Sequence, residues 1–143
     1  MVPERMRVVG IDLGSKRIGV ATSDATGTIA SPYTVLHRHG RDRQADHRAI
    51  AAIVAETEAT RVVVGLPLSL SGEKGPAAQA AEAEVAELAA VLPVPVETWD
   101  ERLTTVTADR SMMEMRMKAD ARRRVVDKVA AAILLQAWLD AHR

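Results

Sequence analysis

The sequence predicts an α/β fold, a five-stranded mixed sheet flanked by helices. Two observations carry that prediction. Three strand-like runs open the chain at residues 6–12, 17–23 and 28–37, and helical and strand-like stretches then alternate to the C-terminus. The first connection is short and contains Gly14, so the second strand returns antiparallel to the first, whereas later strands are reached through helices and run parallel. Leading strands followed by alternating elements give one mixed sheet with helices on its faces.

Taken in order, Met6-Arg-Val-Val-Gly-Ile-Asp12 reads as a buried strand and Arg17-Ile-Gly-Val-Ala-Thr-Ser23 as its hairpin partner. Residues 28–37 form a third strand that Pro32, lacking an N–H, pushes toward an edge. Residues 43–59 carry Ile50, Ile53 and Val54 at helical spacing. Arg61-Val-Val-Val-Gly65 is short and β-branched, as expected of a strand buried on both faces. A Ser- and Gly-rich loop runs from Leu68 to Gly75, and Pro76 opens an Ala-rich helix that reaches about Val91. Residues 94–99 are the last strand, and 103–115 read as a helix with Thr104 or Thr105 as its cap. The charged stretch 116–124 reads either as a mobile loop or as a helix start. The final helix has Val126, Val129, Ala130, Ile133, Leu134 and Ala137 on one stripe.

The chain has 143 residues, which fits one domain spanning 1–143 with a real core. It contains no cysteine, which excludes a disulfide scaffold, a thiolate zinc site and a cysteine nucleophile. No apolar run is long enough to span a bilayer and the N-terminus lacks a secretory pattern, so a cytoplasmic protein without membrane partners is expected. Net charge is zero, but basic residues gather in segment 102–128 and again at Arg38, His39, Arg41, Arg43, His47 and Arg48. Each cluster reads as a solvated helix face or as a nucleic-acid contact. The histidines show no metal-ligand spacing and are expected at the surface. Aromatic residues are few, with no Phe, which counts against modules that stack single-stranded bases on aromatic platforms.

Three acids stand in apolar settings. Asp12 ends the first strand, Glu101 follows the last strand, and Asp127 lies beside the apolar stripe of the final helix, in line with Ala130, Ala131 and Leu134. Carboxylates placed there are costly unless a cation sits between them. Oxygen-only ligands select magnesium or manganese over zinc, and such a site suits phosphodiester hydrolysis. Asp12 could instead cap the tight turn at Gly14, and Asp100 could support Glu101 or cap the helix that follows. Asp127 could simply pair with Arg123 or Arg124. Arg17, Lys74 and Arg102 are candidate phosphate contacts. The loop from Gly65 to Pro76 is not a Walker loop, and no dinucleotide fingerprint is present.

Several segments together carry a family resemblance: Asp12-Leu-Gly-Ser-Lys-Arg-Ile-Gly-Val-Ala-Thr-Ser-Asp24, Gly65-Leu-Pro67, Gly72 to Pro76, Asp100-Glu-Arg-Leu-Thr-Thr105 and Asp127-Lys-Val-Ala-Ala131. In that order and spacing they resemble the YqgF/RuvX family, the Holliday-junction-resolvase-like group also called pre-16S rRNA nucleases. The resemblance covers nearly the whole chain. It implies a ribonuclease H-like fold with the second strand antiparallel, and an acidic site mapping onto Asp12, Glu101 and Asp127. One departure is Ser69, where the family's glycine loop is expected to carry Asn.

The expected chemistry is hydrolysis assisted by two divalent ions, magnesium or manganese, with Asp12 bridging them and Glu101 and Asp127 each completing one site. The resemblance implies structured RNA as substrate, with maturation of the 5′ end of pre-16S rRNA, on a ribosomal precursor particle, as the leading role. A resolvase cutting branched, four-way DNA is the alternative, and it would require a homodimer rather than a monomer. Further alternatives are a catalytically silent RNA-binding factor and a nucleotide-binding module, since the opening Asp12 to Val20 also resembles the phosphate loop of actin-like ATPases.

Overall fold

Strands β1 (Val8–Leu13), β2 (Arg17–Ser23) and β3 (Ala30–His37) lead into helix α1 (Arg43–Thr57). Strand β4 (Arg61–Leu66), helix α2 (Pro76–Val91), strand β5 (Val96–Asp100) and helix α3 (Ala119–Ala141) complete the chain. The structure, a computed structural model, describes residues 6–67, 75–101 and 119–142, and for residues 119–128 the backbone alone. The expected helix over 103–115 and most of the Ser- and Gly-rich loop, residues 68–74, lie outside the described residues.

The five strands form one sheet in the order β3-β2-β1-β4-β5. β1–β2 and β2–β3 are antiparallel, and β1–β4 and β4–β5 are parallel. Pro32 therefore sits on the edge strand, where its missing N–H leaves no gap in the sheet's interior. The register of β2 against β3 slips between Val20 and Ala21, so that Thr34 and Pro32 are consecutive partners and Tyr33 bulges out.

Element ends differ from the sequence-based bounds for local reasons. β3 begins at Ala30 because residues 24–29 close a turn on the Asp24 carboxylate, which accepts from the Thr28 N–H at 2.8 Å and the Ile29 N–H at 3.3 Å. α1 is capped by Asp42, whose side chain accepts from the Ala45 N–H at 3.0 Å. It stops at Thr57 because Glu58 turns left-handed, with φ at 55°. β5 starts after Pro93 and Pro95, which have no N–H to offer the ladder. The charged segment is helical from Ala119, which makes it a helix start there.

Strand alternation divides the core in two. Val9, Ile11, Ile18, Val20, Val62 and Val64 pack with α1 and α2 on one face. Val8, Ala21 and Val63 pack with Ala130, Ala131, Leu134, Leu135, Trp138 and Leu139 of α3 on the other. α3 approaches closely over Gly10, where a methyl group would lie 2.8 Å from Leu135 Cβ and 3.2 Å from the Ala131 carbonyl oxygen. Among the described residues, no helix is long and apolar enough to cross a membrane.

Candidate active site

Because Val9 and Ile11 enter the α1/α2 core, Val8, Gly10 and Asp12 point to the face covered by α3. Asp12 is 9% exposed, close to the C-terminal end of β1. The parallel register of β1 and β4 runs to Ile11 beside Val64, so one residue further Asp12 and Gly65 are neighbours on adjacent strands.

Glu101 directly follows β5. The β4–β5 register pairs Val63 with Glu97 and Gly65 with Trp99, so alternation brings residue 101 to the α3 face and Asp100, the partner of Leu66, to the opposite face. Glu101 leans back across β4: a methyl group on Gly65 would lie 2.7 Å from Glu101 Oε1 and 3.1 Å from Leu134 Cδ2. The carboxylate thus fills the space left by the missing side chain between β5 and Asp12.

The position of residue 127 follows from the helix. α3 runs antiparallel to β4, with Leu134 over Gly65 and the Trp138 ring 5.9 Å from the Arg61 guanidinium at the strand's start. Residue 127 precedes Ala131 by four and Leu134 by seven, so along the helix its backbone stands one turn before Ala131 and two turns before Leu134. Four helical residues rise about 6 Å. Two strand residues, the step from Gly10 to Asp12, rise about 6.7 Å. Residue 127 of the backbone is therefore level with Asp12. The Asp127 side chain lies outside the described residues, and among those described no three His, Cys, Asp or Glu side chains form a metal-sized group.

Arg17, at the start of β2, shares the α3 face with Gly19 and Ala21, the partners of Asp12 and Gly10. Lys74 and Arg102 lie outside the described residues. The turn joining β1 to β2 is closed by the Gly14 N–H donating to the Arg17 carbonyl oxygen at 2.9 Å. A Cβ on Gly14 would sit 2.4 Å from that oxygen, so only glycine fits there.

His37, His39 and His142 are exposed, as expected, and two members of the basic cluster at 38–48 depart from the expectation of a solvated surface. Arg38 and His47 are drawn inside. The Arg38 guanidinium donates to Glu84 at 2.6 and 3.0 Å, to Asp46 at 3.4 Å and, through Nε, to the Gly14 carbonyl oxygen at 2.9 Å. His47 is 4% exposed and its Nε2 donates to Glu84 at 2.9 Å. Arg41 and Arg48 stay exposed. Burial pushes the Glu84 carboxyl up, but the hydrogen bonds from Arg38 and His47 outweigh it and hold the group below its usual range. Asp46 behaves alike: burial raises it, and bonds from His39 and Arg38 lower it further than burial lifts it. The signal for this cluster was present in the sequence. Asp46 and His47 extend the α1 stripe of Ile50, Ile53 and Val54 by one turn, and Glu84 stands four residues before Leu88 on the buried stripe of α2.

Comparison with known proteins agrees with this architecture. A "Putative pre-16S rRNA nuclease" of Myxococcus xanthus (strain DK1622) is 48% identical over 138 residues, covering 96% of this chain and 90% of that protein. A protein of the same name from Halalkalibacterium halodurans is 41% identical, covering 94% of this chain and 96% of the other. Among solved structures, RuvC of T. thermophilus in complex with a Holliday junction substrate aligns with a TM-score of 0.62 at 16% identity, covering 96% of this chain and 95% of that one. The fowlpox virus Holliday junction resolvase aligns with a TM-score of 0.52 at 11% identity, covering 95% and 99%. These likenesses show the fold, which is ribonuclease H-like. The family described as "RuvX: Holliday junction resolvase" matches residues 6–141, and the chain belongs to this family of phosphodiester-hydrolysing nucleases.

Proposed function

We propose that the chain is a divalent-metal-dependent nuclease that acts on structured RNA in maturation of the 5′ end of pre-16S rRNA, with Asp12, Glu101 and Asp127 as its metal ligands. The observation that supports this reading most is Glu101 reaching over Gly65 toward the strand that carries Asp12. One acid within β1 and one directly after β5, with a third on the helix turn level with Asp12, form an oxygen donor set of the kind that suits magnesium or manganese. The blank position at Gly65 leaves room for the donor set, so the residues present fit such a group. Bound ions, two in this reading, supply Lewis acidity that activates a water and stabilises the leaving oxygen.

The chain's own residues have separate tasks. Asp12 is enclosed at the rim of the sheet, and Glu101 reaches over Gly65 from across β4. Arg17 on the same face neutralises phosphate charge, and Lys74 and Arg102 are assigned the same task. The RNA substrate rests on the relatives' name, and a ribosomal precursor particle is the setting it suggests. A second reading, a resolvase that cuts four-way DNA as a homodimer, is favoured by the family's description.

The test is cleavage of end-labelled 5′-extended 16S rRNA and of a four-way DNA junction, each with magnesium, manganese or chelator. Metal-dependent cutting of the RNA that is lost in Asp12→Asn supports the proposal. Paired nicks in the junction alone support the resolvase, and RNA cleavage that survives Asp12→Asn sinks the assignment of the site.

A further inference from the structure

We propose that Arg38 is a positioning residue for the acidic site, holding from the opposite face of the sheet the turn on which Asp12 depends. The inference rests on the reading of Asp12 as a metal ligand.

Asp12 is the next-to-last residue of β1, and the β1–β4 register ends one residue before it, at Ile11. Beyond it the chain is steadied by β2, through Gly19 beside Asp12 and Ile18 beside Leu13, and by the turn at residues 14–16. Two carbonyl groups of that turn, those of Gly14 and Lys16, are taken by one residue. The Arg38 backbone N–H donates to the Lys16 carbonyl oxygen at 2.9 Å, and Arg38 Nε donates to the Gly14 carbonyl oxygen at 2.9 Å. The remaining guanidinium nitrogens are held by Glu84 of α2 and Asp46 of α1. Glu84 is in turn braced by His47, and Asp46 accepts from both the backbone N–H and Nδ1 of His39. The turn beside Asp12 is thereby tied to both helices on the far side of the sheet.

Stability alone is a weak reason for such a cluster. Two carboxylates, a guanidinium and an imidazole enclosed together contribute no more, as a rule, than apolar side chains of the same volume. What the cluster adds is direction: a planar fork held at fixed angles transmits the position of α1 and α2 to the Gly14 carbonyl. A carboxylate two residues away, which must meet an ion within a few tenths of an ångström, gains from that restraint.

The test measures Mn2+ affinity by electron paramagnetic resonance, and thermal unfolding, in wild type, Arg38→Lys, the double variant Arg38→Met with Glu84→Met, and Asp12→Asn. Lysine keeps the charge but loses the fork. The double variant removes Arg38 together with Glu84, the carboxylate it pairs with most closely, while Asp46 keeps its two bonds from His39, so it folds even where a single loss would not. The expected result is Mn2+ binding weakened roughly ten- to a hundredfold in Arg38→Lys and in the double variant. Cleavage should be largely recovered at saturating metal, and the unfolding temperature of the double variant should stay near that of wild type. Wild-type Mn2+ affinity in both variants, with binding lost in Asp12→Asn, overturns the role of Arg38 and leaves the metal site standing. Undiminished binding in Asp12→Asn overturns the metal site itself, and the role of Arg38 falls with it.

Discussion

Glu101 occupies the space that a side chain on Gly65 would fill, with Oε1 2.7 Å from where the first carbon of that side chain would stand. Leu134 of α3 closes the same space from above, at 3.1 Å. Gly65→Ala should therefore push the carboxylate away from β1 and press on α3 at the same time. The expected stability loss is about 1–3 kcal/mol, as for other overpacked sites. The proposed metal role adds a second effect, a rise in the manganese concentration needed for half-maximal cleavage. Urea unfolding and a metal titration of cleavage measure the two separately. A destabilised variant with an unchanged metal requirement would separate Glu101 from the site.

Gly10 controls how closely α3 can lie. A methyl group there meets Leu135 at its Cβ and the Ala131 backbone, neither of which is the yielding end of a long side chain. The helix itself must move, so Gly10→Ala should cost about 1–3 kcal/mol. The displaced helix carries residue 127, and cleavage should fall even under conditions where the variant is fully folded. Activity equal to wild type in the folded variant would argue against a site that spans β1 and α3.

Ser23 closes the other end of β1. Its hydroxyl accepts from the buried Val8 N–H at 2.8 Å and lies 3.0 Å from the Asp24 carbonyl oxygen, to which it donates. Ser23→Ala leaves the Val8 N–H enclosed without a partner, at a cost of about 1–3 kcal/mol. The metal requirement should not change, because Ser23 stands at the end of the hairpin opposite to Asp12. Chemical unfolding checks the cost, and a loss below 0.5 kcal/mol, the roughly neutral range for surface changes, would mean that water reaches the amide.

The strands were legible because each face of this sheet is covered by helices, so β1 and β4 read as nearly continuous apolar runs and β2 is buried without a break from Ile18 to Ala21. The edge position of β3 was legible through Pro32 alone. The ends of α1 and β3 were not, since they depend on a left-handed Glu58 and on a turn wrapped around Asp24. At the end of β5, alternation separates Glu101 from Asp100, a choice that adjacent acids in a sequence leave open. The Arg38 cluster escaped because charge was read there as exposure. A guanidinium, two carboxylates and an imidazole can share an interior when each satisfies the others, and the pairing of Arg38 with Glu84 spans 46 residues.

That cluster makes stability depend on acidity in a definite direction. The Glu84 carboxyl is pushed up by burial but held on balance below its ordinary value of 4.5 by Arg38 and His47. A group whose folded value is lowered stabilises the fold above its unfolded value, and loses that contribution as pH falls through the folded one. Glu84→Gln removes the ionisable partner and leaves the Arg38 charge less compensated inside, which should cost roughly 3 kcal/mol near neutral pH. Below 4.5 the unfolded chain takes up a proton on this carboxyl before the folded cluster does, so the stabilisation by Glu84 declines and the difference between the two proteins should shrink. Asp46 is untouched by the substitution and titrates alike in both, so it largely cancels from the comparison. Urea unfolding of wild type and Glu84→Gln from pH 7 down to about 3.5, across the ordinary carboxylate range, makes the measurement. A gap that stays constant over that range would mean that Glu84 is not held ionised by the cluster.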